Sequence, residues 1–353
     1  MSQMVKSDFG LLPDGSRAAL YTLTNDAGAS VSLSDFGARL VSCRVPGRDG
    51  TIRDVVLGFD CSADYLERGK YFGASCGRYA NRLRGARFSL NGETCPLAAN
   101  NGANALHGGL CGFNTKLWEA RETECGMQFR YVSPDGEEGY PGTLDTTVTY
   151  RFTAQNELEI SYRAVCDRDT ILNLTNHAFF NLAGHDAGDV CGQLLELGAE
   201  FYTPVDDQVV PTGEILSVRG TPFDFLTPKP IGRDLASGHR QLLFAHDGYD
   251  HNFVLKKAER GALSLAASVT DPASGRRMRV FTTEPGIQFY SGNTFRDVLG
   301  RGGAVYGQYA GFALETQHFP NAMELTHFPT PVLRAGEEYT QRTIYQFSVD
   351  GEA

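Results

Sequence analysis

None of the eight cysteines forms a CxxC pair and none follows Cys191, which argues against a disulfide framework and predicts reduced thiols. No stretch approaches the roughly 18 consecutive apolar residues that a membrane helix needs. The first thirty residues include Asp8, Asp14, Arg17 and Asp26 and lack the apolar core of a signal peptide. These absences predict a cytoplasmic protein. Positive charge is also in short supply: 32 Lys and Arg stand against 42 Asp and Glu, a formal net charge of −10, and no Lys/Arg cluster interrupts it. Such a field repels nucleic acid and anionic membranes, so the expected partner is an uncharged small molecule. Oligomeric state leaves no trace in the sequence.

Helical periodicity is scarce as well. The best candidate is short, Cys61 to Lys70, where a Ser-Ala-Asp opening is expected to cap a turn or two. Period-two alternation is present instead. Leu158, Ile160, Tyr162 and Ala164 stand between polar residues, as do Val148, Tyr150 and Phe152, and Gln155-Asn156 is expected to turn one run into the other. Further strands are predicted at Ala262 to Thr270, Met278 to Thr283 and Thr343 to Val349. Forty glycines without a fixed period mark many turns. The pattern predicts an all-β protein, a large antiparallel sandwich or barrel with few short helices. With no linker, repeat or low-complexity tract, residues 1–353 are expected to form one domain.

Several segments are too polar and too aromatic for plain strands: GRYANR (77–82), LHGG (106–109), NLTNHAFFNL (173–182), GYDHNF (248–253), EPGIQFY (284–290) and LETQHFPN (314–321). An isolated histidine beside Asn and Thr is usually a satisfied strand-end residue. Glu315 is harder to dismiss, because it follows Phe312-Ala313-Leu314 in an apolar run, where a carboxylate is uncommon unless it is paired or working. Taken together and in this order, the six segments resemble the aldose 1-epimerase (galactose mutarotase) family over nearly the whole chain. The resemblance begins in the Asn25 to Arg44 region and runs to the Tyr339 to Tyr345 segment. It implies a galactose mutarotase-like β-sandwich and an enzyme that interconverts the α and β anomers of a free monosaccharide.

It also implies roles, position by position. Glu315 matches the general base and His177 the general acid. Arg82 and His107 match residues that hydrogen-bond the sugar near the reacting centre. Asp250 matches the carboxylate that grips sugar hydroxyls, Gln288 a nearby polar contact, and Asn81 a residue that orients the ring. The chain departs from the family pattern at Ala178-Phe179, where Ser-Tyr is usual, and over Asn321 to Pro329.

The chemistry accounts for the residue types. An aldopyranose changes anomer when O1 loses a proton while the ring oxygen gains one, so a carboxylate and an imidazolium must face the two oxygens, each contributing about 10²–10⁴-fold. No metal and no other cofactor is required by this route. Phe179, Phe180, Phe289 and Tyr290 are available as an aromatic wall, and about half of them are expected to be simple core. Three rivals are weighed. A metallo-hydrolase would gather His246-Asp247, Asp250-His251 and His318, but no HExxH spacing is present, and His251 is expected to donate to a backbone carbonyl. A non-catalytic carbohydrate-binding protein on the same fold would not need both Glu315 and His177. A sugar-phosphate epimerase would need clustered cations, whereas the motifs hold Arg82 with Arg78 nearby.

Overall fold

The structure, a computed structural model, describes residues 3–349, so the ends of the expected 1–353 domain lie outside the described residues. The expected hairpin forms as antiparallel strands Leu144–Phe152 and Glu157–Cys166, with Asn156 at φ +58° in the intervening turn. Asn is tolerated there because its short polar side chain suits the left-handed region. The alternation buries Leu158, Ile160 and Tyr162 on one face. The other predicted strands occupy Ser264–Thr270, Arg276–Thr282 and Glu338–Val349, the last beginning five residues earlier than its apolar pattern.

These strands belong to a nine-stranded antiparallel sheet. Its inner face packs on the back of a six-stranded sheet, whose order is Phe179–Phe180, Phe312–Gln317, Gly286–Tyr290, Asp250–Val254, Phe201–Thr203 and Leu216–Ser217. The contact is direct. The Tyr345 hydroxyl donates to the Leu314 carbonyl at 3.2 Å, the Thr316 and Thr343 hydroxyls meet at 2.6 Å, and Phe180 packs on Tyr345 at 5.1 Å. Ile287, Phe289 and Leu314 point into this core, each contributing about 1.5–3 kcal/mol by burial. By the same alternation, Gln288, Glu315 and Gln317 point out of the opposite face of the six-stranded sheet. A third, five-stranded sheet formed by residues 3–54 closes another side of the core, and the Tyr150 hydroxyl reaches across to the Ala38 carbonyl at 2.7 Å.

The predicted short helix is Ser62–Arg68. Its cap differs from the expectation: Cys61 is the N-cap, no side chain caps it, and Ser62 lies inside the helix with its hydroxyl buried and unpartnered. Among the described residues no helix is long and apolar enough to cross a membrane. All eight cysteines are free.

Candidate active site

Cross-strand register builds the floor of a cleft. Gln288 lies opposite Glu315, Asn252 opposite Gln288, and Thr203 opposite Asn252, so four polar side chains form a row across adjacent strands. Directly opposed side chains on such a sheet face have Cβ atoms about 4.5–5.5 Å apart. One pleat along, Tyr290 pairs with Asp250. Asp250 joins the two halves of the site: its Oδ1 accepts from Gln288 Nε2 at 2.6 Å, and its Oδ2 accepts from Arg82 Nη1 at 3.3 Å. Arg82 is held from behind by Asn101 Oδ1 at 3.1 Å.

Loops supply the opposite wall. The backbone N–H of Asn81 donates to His107 Nδ1 at 3.1 Å, and the His107 N–H donates back to the Asn81 carbonyl at 3.1 Å. Both residues lie at positive φ, +65° and +50°. The turn needs glycine next, because a Cβ on Gly108, at φ +87°, would sit 1.8 Å from the Gly77 carbonyl oxygen. His177 is pinned on both sides: its N–H donates to the Ala74 carbonyl and its own carbonyl accepts from Gly73, at 2.9 and 2.8 Å. Its Nε2 lies 3.5 Å from Glu315 Oε1, with His177 6 % exposed and Glu315 2 %.

Burial sets the electrostatics. Loss of hydration pushes the Glu315 carboxyl well above the ordinary carboxylate range, helped by the charge of Asp250 and opposed by Arg82. Burial likewise holds His177 down to about 4, and it drives His107 well below its usual value, with the neighbouring His177 and Arg82 adding to the effect. Glu315 Oε2 and Gln288 Oε1 are among the buried acceptors of the site that have no protein partner. Sugar hydroxyls are donors of the kind these acceptors need.

His107, His177 and Glu315 also have a spacing compatible with a metal, each offering an atom within 4.8 Å of the others. The tautomer speaks against that use. His107 Nδ1 accepts the Asn81 N–H, so the proton of its neutral ring sits on Nε2, and the ring presents a donor to the cleft rather than a lone pair. Two ligands remain, fewer than the three that a catalytic zinc takes.

All seven predicted residues, Asn81, Arg82, His107, His177, Asp250, Gln288 and Glu315, therefore converge. The rival metal set does not. His318, just past the end of the Phe312–Gln317 strand, pairs through Nδ1 with Glu284 Oε2 at 2.7 Å beside a groove of about 1130 Å³ that contains none of the seven. His251 corrects the expectation that it donates to a backbone carbonyl: its Nδ1 accepts from the Asp250 backbone N–H and its Nε2 donates to the side-chain Gln241 Oε1, both at 3.1 Å. Arg78 is occupied by Ser133 Oγ and by the carbonyls of Ser133, Pro134 and Pro141. Three of the four aromatic candidates, Phe179, Phe180 and Phe289, are buried in core clusters, and Tyr290 is half-buried at the edge of one. Of these, Phe179 also packs on His177 at 4.9 Å and on Tyr290 at 5.8 Å. The divergent segment stays tied to the site, since Asn321 donates its N–H to the Arg82 carbonyl at 2.9 Å.

Tyr71 was not visible as a site residue. Its ring lies 4.8 Å from His107 and 6.2 Å from His177, nearly parallel to the latter at 21°, and backs both imidazoles. It sits in an irregular loop, where no periodicity signals which way a side chain points. Asn252 and Gln317 were also passed over, although alternation from Asp250 and Glu315 places them on the same face.

Comparison with known proteins agrees with this geometry. The profile of the aldose 1-epimerase family matches residues 19–346. The galactose mutarotase of Sus scrofa is 43% identical over 351 residues, covering 99% of this chain and all of that protein. The aldose 1-epimerase of Escherichia coli (strain K12) is 39% identical over 347 residues, covering 98% of this chain and 99% of that protein. Among solved structures, an aldose epimerase homologue from C. elegans superposes with a TM-score of 0.86 at 29% identity, covering 99% of this chain and all of that one. The fold, the cleft and the full-length similarity together show that the chain belongs to the aldose 1-epimerase family.

Proposed function

We propose that this chain opens and recloses the ring of a free, uncharged aldopyranose, with Glu315 taking the O1 proton and His177 giving one to the ring oxygen. The observation that carries this reading is the 3.5 Å approach of His177 Nε2 to Glu315 Oε1 inside a buried cleft, where one hemiacetal can touch both. The proton count closes. With Glu315 ionised and His177 protonated, ring opening moves the O1 proton to Glu315 and the imidazolium proton to the ring oxygen, leaving both side chains neutral beside an open aldehyde. Rotation about C1–C2 and closure on the other face return the proton from Glu315 to O1, while His177 recovers its own. The pair holds one proton throughout, and neither sugar oxygen carries a full charge.

Burial favours the neutral form of both groups, which is the state that meets the open chain. The cyclic sugar draws the pair back to the charged form by donating O1–H to Glu315 and accepting at its ring oxygen from His177. Asp250, Gln288 and Arg82 bind hydroxyls away from the anomeric carbon, His107 donates from Nε2 to an oxygen near the reacting bond, and Asn81 fixes the His107 tautomer. Arg82 is matched by Asp250 and Arg78 is turned to backbone carbonyls, so neither arginine of the GRYANR segment is free to clamp a phosphate. A neutral monosaccharide is the substrate class that fits. Optical rotation of fresh α-D-glucose and α-D-galactose tests the assignment. Glu315→Ala is expected to abolish catalysed mutarotation and His177→Asn to depress it at least 100-fold, with folding retained. Wild-type rates from Glu315→Ala would refute the role of the base.

A further inference from the structure

Gln317 is fully buried two residues along the same strand face from Glu315, and neither its Nε2 nor its Oε1 has a hydrogen-bond partner. A buried amide unpaired at both ends is rare and calls for an explanation. Its surroundings supply one. The cross-strand neighbour of Gln317 is Gly286, which has no side chain to fill the space. Asn252 leans over that glycine, since a Cβ there would lie 2.3 Å from Asn252 Oδ1, and this oxygen is also buried and unpartnered. Glu315 Oε2, in the adjoining row, is likewise buried and unpartnered. The two N–H groups of the Gln317 amide thus share one strip of the sheet with acceptors that lack donors, Asn252 Oδ1 and Glu315 Oε2 among them.

We propose that Gln317 is a positioning residue for Glu315: one amide N–H serves Glu315 Oε2, directly or across one water molecule, and the other is aligned by Asn252 Oδ1 over Gly286. The inference rests on the reading of Glu315 as the base. A donor at Oε2 favours the ionised carboxylate, the form needed to take the O1 proton. The other groups around Glu315 are His177 and His107, the Arg82–Asp250 pair, the Cys76 thiol and the Tyr345 phenol. Arg82 is the one permanent cation among them, and Asp250 engages it. A donor that does not titrate is what the carboxylate lacks, and an amide supplies it.

The test is the pH profile of kcat/KM for Gln317→Leu and Gln317→Met, with folding checked by circular dichroism and thermal unfolding. Losing the donor raises the proton affinity of Glu315, which lowers the population with Glu315 ionised and His177 protonated and delays loss of the last proton. The plateau is therefore expected to fall about tenfold while the alkaline limb moves up by about one pH unit, the two linked by the same factor, with KM changed less than about twofold. A plateau that falls while the limb stays fixed, or a rise confined to KM, would overturn the inference. So would failure of both variants to fold, which would assign Gln317 to the sheet. Glu315→Gln separates the two levels of argument. Retained activity there defeats the reading of the base itself, whereas lost activity with an unmoved limb in the Gln317 variants defeats this inference alone.

Discussion

If Glu315 and His177 work as a pair holding a single proton, the pH dependence of mutarotation carries an unusual signature. With ordinary values, about 4.3 for Glu and 6.5 for His, the active form would exist only between those limits and activity would fall above pH 6.5. The buried site inverts the order. His177 is held down to about 4 from 6.5, a bias of about 3 kcal/mol toward the neutral ring, while Glu315 is pushed up. The acid limb therefore belongs to His177 accepting a second proton on the pair, and the alkaline limb to Glu315 losing the last one. Activity is expected to fall tenfold per pH unit below about 4 and to decline again only well above the ordinary carboxylate range, where Glu315 gives up the last proton. Initial polarimetric rates with α-D-glucose from pH 3.5 to 9.5, corrected for spontaneous mutarotation, measure this directly, and residual activity in His177→Asn should lack the acid limb. A midpoint near pH 6.5 that disappears in His177→Asn would refute the reasoning, because it would mean an imidazole titrating as though in water.

Asp250→Ala removes the acceptor for both Gln288 and Arg82, so KM is expected to rise roughly tenfold or more while kcat changes less; a loss confined to kcat would count against a binding role. Tyr71→Phe keeps the ring behind the two imidazoles and should retain activity within about threefold, whereas Tyr71→Ala should lower kcat roughly tenfold by freeing His107 and His177, and equal rates from the two would remove the ring from the site. His251 is buried and held down to about 3 against 6.5 in the unfolded chain. Because its folded value is depressed, it contributes stability above pH 6.5 that is lost progressively as pH falls toward 3, about 3 kcal/mol of it by pH 4. His251→Gln should accordingly flatten the acid slope of urea-derived stability between pH 6.5 and 4, and an unchanged slope would show that the ring does not titrate in the unfolding reaction.

Legibility in the sequence followed the reach of local patterns. Alternation around Leu158 to Ala164 and Val148 to Phe152 determined both strands and their inward faces, and Glu315 in an apolar run declared a buried carboxylate before any contact was known. Six ordered motifs pointed to the family and to seven residues that the fold brings into one cleft. Other features depend on what lies across space. Whether Phe179 or Phe180 packs on His177 was settled by one pleat of a two-residue strand, and the group that accepts from His251 proved to be a side chain ten residues upstream. Tyr71 was silent because loop side chains carry no period. The Glu315–Gln288–Asn252–Thr203 row exists only through the register of four strands drawn from distant parts of the chain. The sequence by itself decided which chemical groups are present and which face of each strand they occupy, since pleating and burial act over a few residues. Only the tertiary structure decided that the imidazole and the carboxylate meet, which tautomer His107 holds, and how far burial moves each proton, because these depend on distances between segments and on the water excluded when they close together.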